Sequence, residues 1–261
     1  MDVTLPSFTP GLDPGPSFLD LLKATGTDPF PAAAAGVDVP HGTTCVALKY
    51  EDGVIIAGDR RATAGNLIRN RDMDKVVQAD DFSGVAISGA AGPAVEMIKL
   101  FQLQLEHYEK MEGHPLSLEG KANQLSFMIR DNLPAAMQGM VVLPLFAGFE
   151  PKDGTGHIWD FDATGGRYEE REYVTIGSGG MHAGTVIKVG WRSSLDRVAA
   201  LRLACRALWE AADADSATGG PDLLRGIYPL VASITAQGWT PVDDTELADV
   251  FRSIEEEVRA R

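Results

Sequence analysis

Cysteine is scarce in this chain of 261 residues: Cys45 and Cys205 lie far apart. No metal-ligand spacing surrounds either one, and the five histidines do not cluster. No metal or other cofactor is expected, and a reduced, cytoplasmic setting is the simplest reading. Basic residues are also short. Lys and Arg number 23 against 37 Asp and Glu, a net charge of -14 and a pI near 4.7. Such a surface argues against nucleic acid or an anionic membrane as partner, since both are negative. No apolar run approaches the roughly 20 residues that cross a bilayer. The N-terminal stretch has no basic start and no apolar h-region, so no signal peptide is expected.

What remains is an ordinary globular composition, 44% apolar. The length fits one sizeable domain with an appendage. Residues 1–42 hold seven of the fifteen prolines and read as an extension, with one amphipathic piece at Phe18–Lys23. From Thr43 the pattern changes. Thr43–Tyr50 and Val54–Gly58 read as strands around the turn Glu51-Asp52-Gly53. Asp59–Asp74 reads as a long polar loop, followed by strands at Lys75–Gln78 and Gly84–Ser88. Helices are expected from Pro93 to about Met111 and over Ser117–Gln138, with Pro134 disturbing the second. Strands follow at Val141–Phe149, Gly156–Asp162 and Arg167–Ile176. A helix begins after Gly177-Ser178-Gly179-Gly180, another spans Ser194–Ala212, Ile227–Gln237 is a strand, and Asp244–Arg261 is a terminal helix. Helices in adjacent pairs between blocks of antiparallel strands predict an α+β fold, two stacked sheets with helices outside, rather than a doubly wound sheet.

The join at Gly42 and Thr43 carries the chemistry. Cutting that bond would give Thr43 a free α-amine beside its own hydroxyl, a nucleophile with its base attached. Taken alone, Gly-Thr-Thr reads first as the start of a strand, and only the rest of the chain shifts that weighting. The amine must be neutral to take the hydroxyl proton, and its unperturbed pKa is about 7.7–8.0. A nearby cation would lower that value, and Lys75 can supply one; Asp59 can hold Lys75 in place. Each of these two residues also reads as an ordinary surface or turn residue.

Six motifs recur in order: Gly42-Thr43-Thr44, Gly58-Asp59-Arg60-Arg61-Ala62-Thr63, Lys75, Ser88-Gly89-Ala90-Ala91, Gly177-Ser178-Gly179-Gly180 and Asp215-Ser216-Ala217-Thr218-Gly219-Gly220. Together they resemble the proteasome β-subunit family, its actinobacterial branch most closely, in register from Gly42 to about Pro229. The resemblance implies an N-terminal-nucleophile hydrolase with a four-layer αββα sandwich. It implies a propeptide, 1–42, removed by self-cleavage from a catalytic domain, 43–261. Thr43 is then nucleophile and, through its amine, general base. Lys75 tunes that amine, Asp59 orients Lys75, and the Gly89 N–H donates to the oxyanion. Ser178, Asp215 and Thr218 surround the amine. Thr63 and Ala91 pair with an extended substrate, and Ala62, Met73, Val77, Ile87 and Val95 line an apolar side-chain pocket. Thr218 stands where many relatives have Ser. The implied partners are other copies in heptameric β-rings, rings of a related α-subunit, and an ATPase ring delivering tagged substrates. Competing readings are a silent ring subunit, which would lack the Thr, Asp and Lys set, and a phosphate loop at Gly177–Gly180, which lacks a P-loop lysine.

Overall fold

A computed structural model describes residues 42–260. The expected propeptide, Gly42 apart, and the piece Phe18–Lys23 lie outside the described residues.

Two five-stranded antiparallel sheets form the body. The first contains β1 (Thr44–Tyr50), β2 (Gly53–Gly58), β10 (Tyr173–Gly177), β11 (Leu230–Thr235) and β12 (Gly238–Pro241), in the order β10-β1-β2-β11-β12. The second contains β5 (Val76–Asp80), β6 (Ser83–Gly89), β7 (Val142–Glu150), β8 (Thr155–Phe161) and β9 (Arg167–Glu170), in sequence order. The helices are α1 (Ala91–Glu112), α2 (Leu118–Asp131), the short α3 (Leu133–Ala136), α4 (Gly180–Gly190), α5 (Arg197–Ala214) and α6 (Asp244–Arg259).

Strand alternation distributes the apolar side chains. In β2, Val54 and Ile56 enter a cluster shared by the two sheets, together with Ala86, Leu145 and Ile158 of the second sheet. Ile55 and Ala57, one residue out of phase, enter a different cluster with Ala183 of α4, Leu201 and Leu208 of α5, and Phe251 of α6. On the second sheet, Val85, Ile87 and Phe146 meet Phe101 of α1 and Leu125 of α2 in a third cluster. A strand that is apolar at every position is thus buried on both faces, and each such Val or Ile contributes about 1.5–3 kcal/mol by leaving water.

The helix limits follow local chemistry. Ser117 caps α2 by accepting from the Gly120 N–H at 3.1 Å, and Asp243 caps α6 by accepting from Thr245 and Glu246 N–H, both at 2.9 Å. The expected helix Ser117–Gln138 ends at Asp131, and Pro134 sits in the first turn of α3. Three further expectations are corrected. The polar loop Asp59–Asp74 contains a hairpin, β3 (Ala62–Ala64) with β4 (Leu67–Asn70), whose second strand is exposed throughout and therefore shows no alternation. Arg167–Ile176 is two strands in different sheets: β9 pairs with β8 and β10 with β1, and the exposed Arg171 and Glu172 carry the chain across. Ile227–Gln237 is shorter, and β12 follows it after a tight turn.

Candidate functional site

The pairing of β1 sets the site. Cys45 lies opposite Gly58 of β2, so Asp59, the next residue, emerges beside Thr44. Its N–H donates to the Thr44 carbonyl at 3.0 Å, and the Thr44 N–H donates back to Asp59 Oδ1 at 2.8 Å. On the other edge Thr44 lies opposite Gly177 of β10, which places Ser178 next to Thr43. Lys75, just before β5, reaches in from the second sheet.

Lys75 is 2% exposed and Asp59 fully buried. The three donors of the Lys75 ammonium have three acceptors: Asp59 Oδ1 at 2.8 Å, the Gly42 carbonyl at 2.9 Å and the Arg61 carbonyl at 2.5 Å. Asp59 accepts four bonds. Oδ1 takes Lys75 and the Thr44 N–H; Oδ2 takes the Arg61 N–H at 2.9 Å and the Gly219 N–H at 2.8 Å. The Thr43 hydroxyl donates to the Gly42 carbonyl at 2.6 Å, so that carbonyl holds both a hydroxyl and an ammonium.

A second group of polar side chains lies on the other side of Thr43. The Thr43 N–H points to Ser178 Oγ at 3.5 Å. Ser178 donates to Asp215 Oδ2 at 2.5 Å, and the Thr218 hydroxyl donates to the same oxygen at 2.6 Å. The Ala217 N–H donates to Asp215 Oδ1 at 3.1 Å. Partial burial pushes the Asp215 carboxyl up, but the bonds from Ser178, Thr218 and Ala217 outweigh it and hold the group below its usual value.

Gly42 has no room for a side chain. A Cβ there would lie 2.5 Å from Ala217 Cβ, 2.6 Å from Thr63 Oγ1 and 2.8 Å from the Ala217 carbonyl oxygen. Gly89, at the end of β6, has φ +101°, and a Cβ would collide with the Val141 carbonyl. A narrow pocket beside Thr43 is lined by Ala62, Met73, Ile87, Gly89, Ala91 and Ala94, among others.

Residues 39–222 of this chain match the proteasome subunit family. The chain belongs to that family. It is 55% identical over 262 residues to a protein of Acidimicrobium ferrooxidans named proteasome subunit beta, a match covering 99% of this chain and 96% of the relative. It is 51% identical over 250 residues to the proteasome subunit beta of Streptomyces griseus, covering 93% and 89%. Both relatives place the chain among proteasome β-subunits.

Within this proteasome chain the sequence-predicted residues Thr43, Asp59, Lys75, Ser178, Asp215 and Thr218 converge on the Gly42–Thr43 bond. Thr63 and Ala91 flank it, one beside Gly42 and one in the pocket wall. Of the expected pocket residues, Ala62, Met73 and Ile87 line this pocket; Val77 packs against the helix-side cluster of the second sheet, Val95 is 38% exposed, and Ala94, not anticipated, also lines the pocket. Cys45 is a buried core residue of the inter-sheet cluster, and burial pushes its thiol up to about 12, which keeps it from competing as a nucleophile. Sequence reasoning also missed Thr44, the Arg61 carbonyl and the Gly219 N–H. Thr44 and Gly219 lie inside recognised motifs, but their partners are set by pairing across the fold.

Proposed function

We propose that this chain is the proteolytic β-subunit of a bacterial proteasome core particle, a threonine endopeptidase made as a zymogen. The observation that carries the reading is the double hold on the Gly42 carbonyl, by the Thr43 hydroxyl at 2.6 Å and the Lys75 ammonium at 2.9 Å. In self-cleavage Thr43 Oγ attacks the Gly42 carbonyl carbon. The developing oxyanion is stabilised by Lys75. The C–N bond then breaks, the hydroxyl proton passes to the leaving nitrogen, and Gly42 becomes an ester on Thr43. Water hydrolyses that ester, releasing a Gly42 carboxylate and the free Thr43 amine.

The same parts then act on substrates. The amine, directly or through a water, takes the Thr43 hydroxyl proton, while the adjacent Lys75 cation favours the neutral amine. The Ser178, Asp215 and Thr218 group positions that amine. Gly89 faces the pocket as the expected oxyanion donor. The three stacked apolar clusters support the four-layer αββα sandwich of N-terminal-nucleophile hydrolases. In this reading the chain works in heptameric β-rings enclosed by α-subunit rings, and an ATPase ring delivers tagged proteins. Exposed apolar residues on α1 (Leu100, Leu103, Met111), with Phe127 on α2 and Met181 and Val189 on α4, give such contacts a surface. Among the described residues no helix is long and apolar enough to cross a membrane.

Intact mass and peptide hydrolysis test the reading together. The assembled wild-type chain loses residues 1–42 and cleaves peptides; Thr43→Ala keeps its full length and is inactive. Cleavage of Thr43→Ala at the same bond, with no wild-type copies in the particle, would overturn self-processing.

A further inference from the structure

We propose that Thr44 is a positioning residue for the nucleophile, and that its hydroxyl and backbone N–H couple the two halves of the site. The proposal rests on the threonine-peptidase reading and assigns to Thr44 a role that the adjacent nucleophile obscures.

Backbone groups of the 216–219 turn reach the first half, the Gly219 N–H at Asp59 and the Ser216 carbonyl at Arg61, but the side chains of the two halves form separate sets. One is the buried Lys75–Asp59 pair; the other is Asp215 with Ser178 and Thr218. Thr44 is fully buried and touches both. Its N–H donates to Asp59 Oδ1, the oxygen that also receives the Lys75 ammonium. Its hydroxyl lies 2.6 Å from the Thr218 hydroxyl.

Counting hydrogens fixes the direction of that last bond. Thr218 has one hydroxyl hydrogen, and it is committed to Asp215 Oδ2, which as a carboxylate only accepts. Thr44 is therefore the donor. Ser178 gives its one hydrogen to Asp215 Oδ2 at 2.5 Å, far nearer than the Thr43 carbonyl at 3.4 Å, leaving its lone pairs for the Thr43 N–H. A directed chain results, Thr44 to Thr218 to Asp215, with Ser178 presented to the nucleophile's nitrogen from the other side. Donation into Thr218 polarises its hydroxyl and strengthens the bond it gives to Asp215. Space for the chain is made by Gly179, where a Cβ would collide with both threonine hydroxyls.

Thr44 lines no part of the substrate pocket. Loss of its hydroxyl should therefore act on the chemical step and not on substrate binding. Thr44→Val removes the hydroxyl at nearly constant shape and retains the N–H. In fully assembled particles, with kcat normalised to the fraction of processed chain measured by intact mass, it should lower kcat by roughly three- to tenfold, with KM unchanged. Thr44→Ser, which restores the donor, should return kcat to within about twofold of wild type. If Thr44→Val stalls at the Gly42–Thr43 bond while Thr44→Ser is cut normally, the same requirement has been read through the first turnover. Should Thr44→Val fail to assemble, Thr44→Ala carries the comparison with Thr44→Ser. A hydroxyl-free variant with wild-type kcat and processing, or a Thr44→Ser as impaired as it, would overturn the proposal. An inactive, processed wild type would instead defeat the peptidase reading itself, so the two failures are distinguishable.

Discussion

Replacing Asp59 by Asn exchanges one oxygen for an NH2 group and leaves two of four bonds without an acceptor. The carboxylate accepts from the Lys75 ammonium, and from the N–H groups of Thr44, Arg61 and Gly219. An amide has one accepting oxygen, and its NH2 group only donates. If the oxygen faces Lys75 and Thr44, the NH2 meets two N–H donors. If the amide flips, it meets a buried ammonium and an N–H. Either way Lys75, 2% exposed, loses its counter-ion: in the first orientation it keeps a neutral amide oxygen beside the carbonyls of Gly42 and Arg61, and in the second only those two carbonyls. Breaking a buried ion pair by removing one partner costs about 3–5 kcal/mol. For a domain of this size each kcal/mol lowers Tm by about 2–4 °C, so Tm should fall by roughly 6–20 °C. The chain should still fold, because total stabilities run to about 5–15 kcal/mol. Peptide hydrolysis should fall by about 10²–10³-fold, because the cation loses the carboxylate that orients it. Differential scanning calorimetry on assembled particles and kcat/KM normalised to the fraction of processed chain measure the two effects. An Asp59→Asn particle with wild-type Tm and turnover would refute the account of the pair.

Gly42→Ala should leave the full-length chain accumulating, because its Cβ would press on Ala217 and Thr63 and shift the scissile carbonyl away from Lys75; cleavage at the wild-type rate would show that the crowding is relieved cheaply. The pocket walls Ala62, Met73, Ile87 and Ala94 carry no charge, so a fluorogenic peptide panel should favour apolar over acidic or basic residues before the cut, and a preference for charge would contradict the pocket assignment. Asp215 sits below its unfolded value near about 3.9, so its contribution to stability is complete above that pH and is lost as pH falls through the folded value. Ser178→Ala, which removes one of its donors, should move the acid-unfolding midpoint to higher pH; an unchanged midpoint would argue against the hydrogen bonds as the cause.

The parts of this molecule legible in the sequence are those marked by side-chain identity at fixed spacing. Val54–Ala57 reads as a strand buried on two faces, and its alternate residues do enter two different clusters. Thr43, Asp59 and Lys75 read as a nucleophile, an acceptor and a cation. The hairpin Ala62–Asn70 was not legible because its second strand is exposed on both faces, and alternation exists only where one face is wet and the other dry. The crossing at Arg171 and Glu172 was not legible because a strand that leaves one sheet for another keeps an extended pattern throughout. The site shows the same limit more sharply. Lys75 is held by the carbonyls of Gly42 and Arg61, and Asp59 by the N–H groups of Thr44, Arg61 and Gly219. Every residue but proline carries those groups, so no residue type advertises them. Their positions come from β1 pairing with β2 and β10, and from the turn that brings Gly219 to Asp59. A sequence therefore names the charged pair but not the peptide groups that fix its direction. In the proposed reaction the rate at which Thr43 attacks depends on both, because a cation displaced by a fraction of a hydrogen-bond length no longer faces the carbonyl where negative charge would develop.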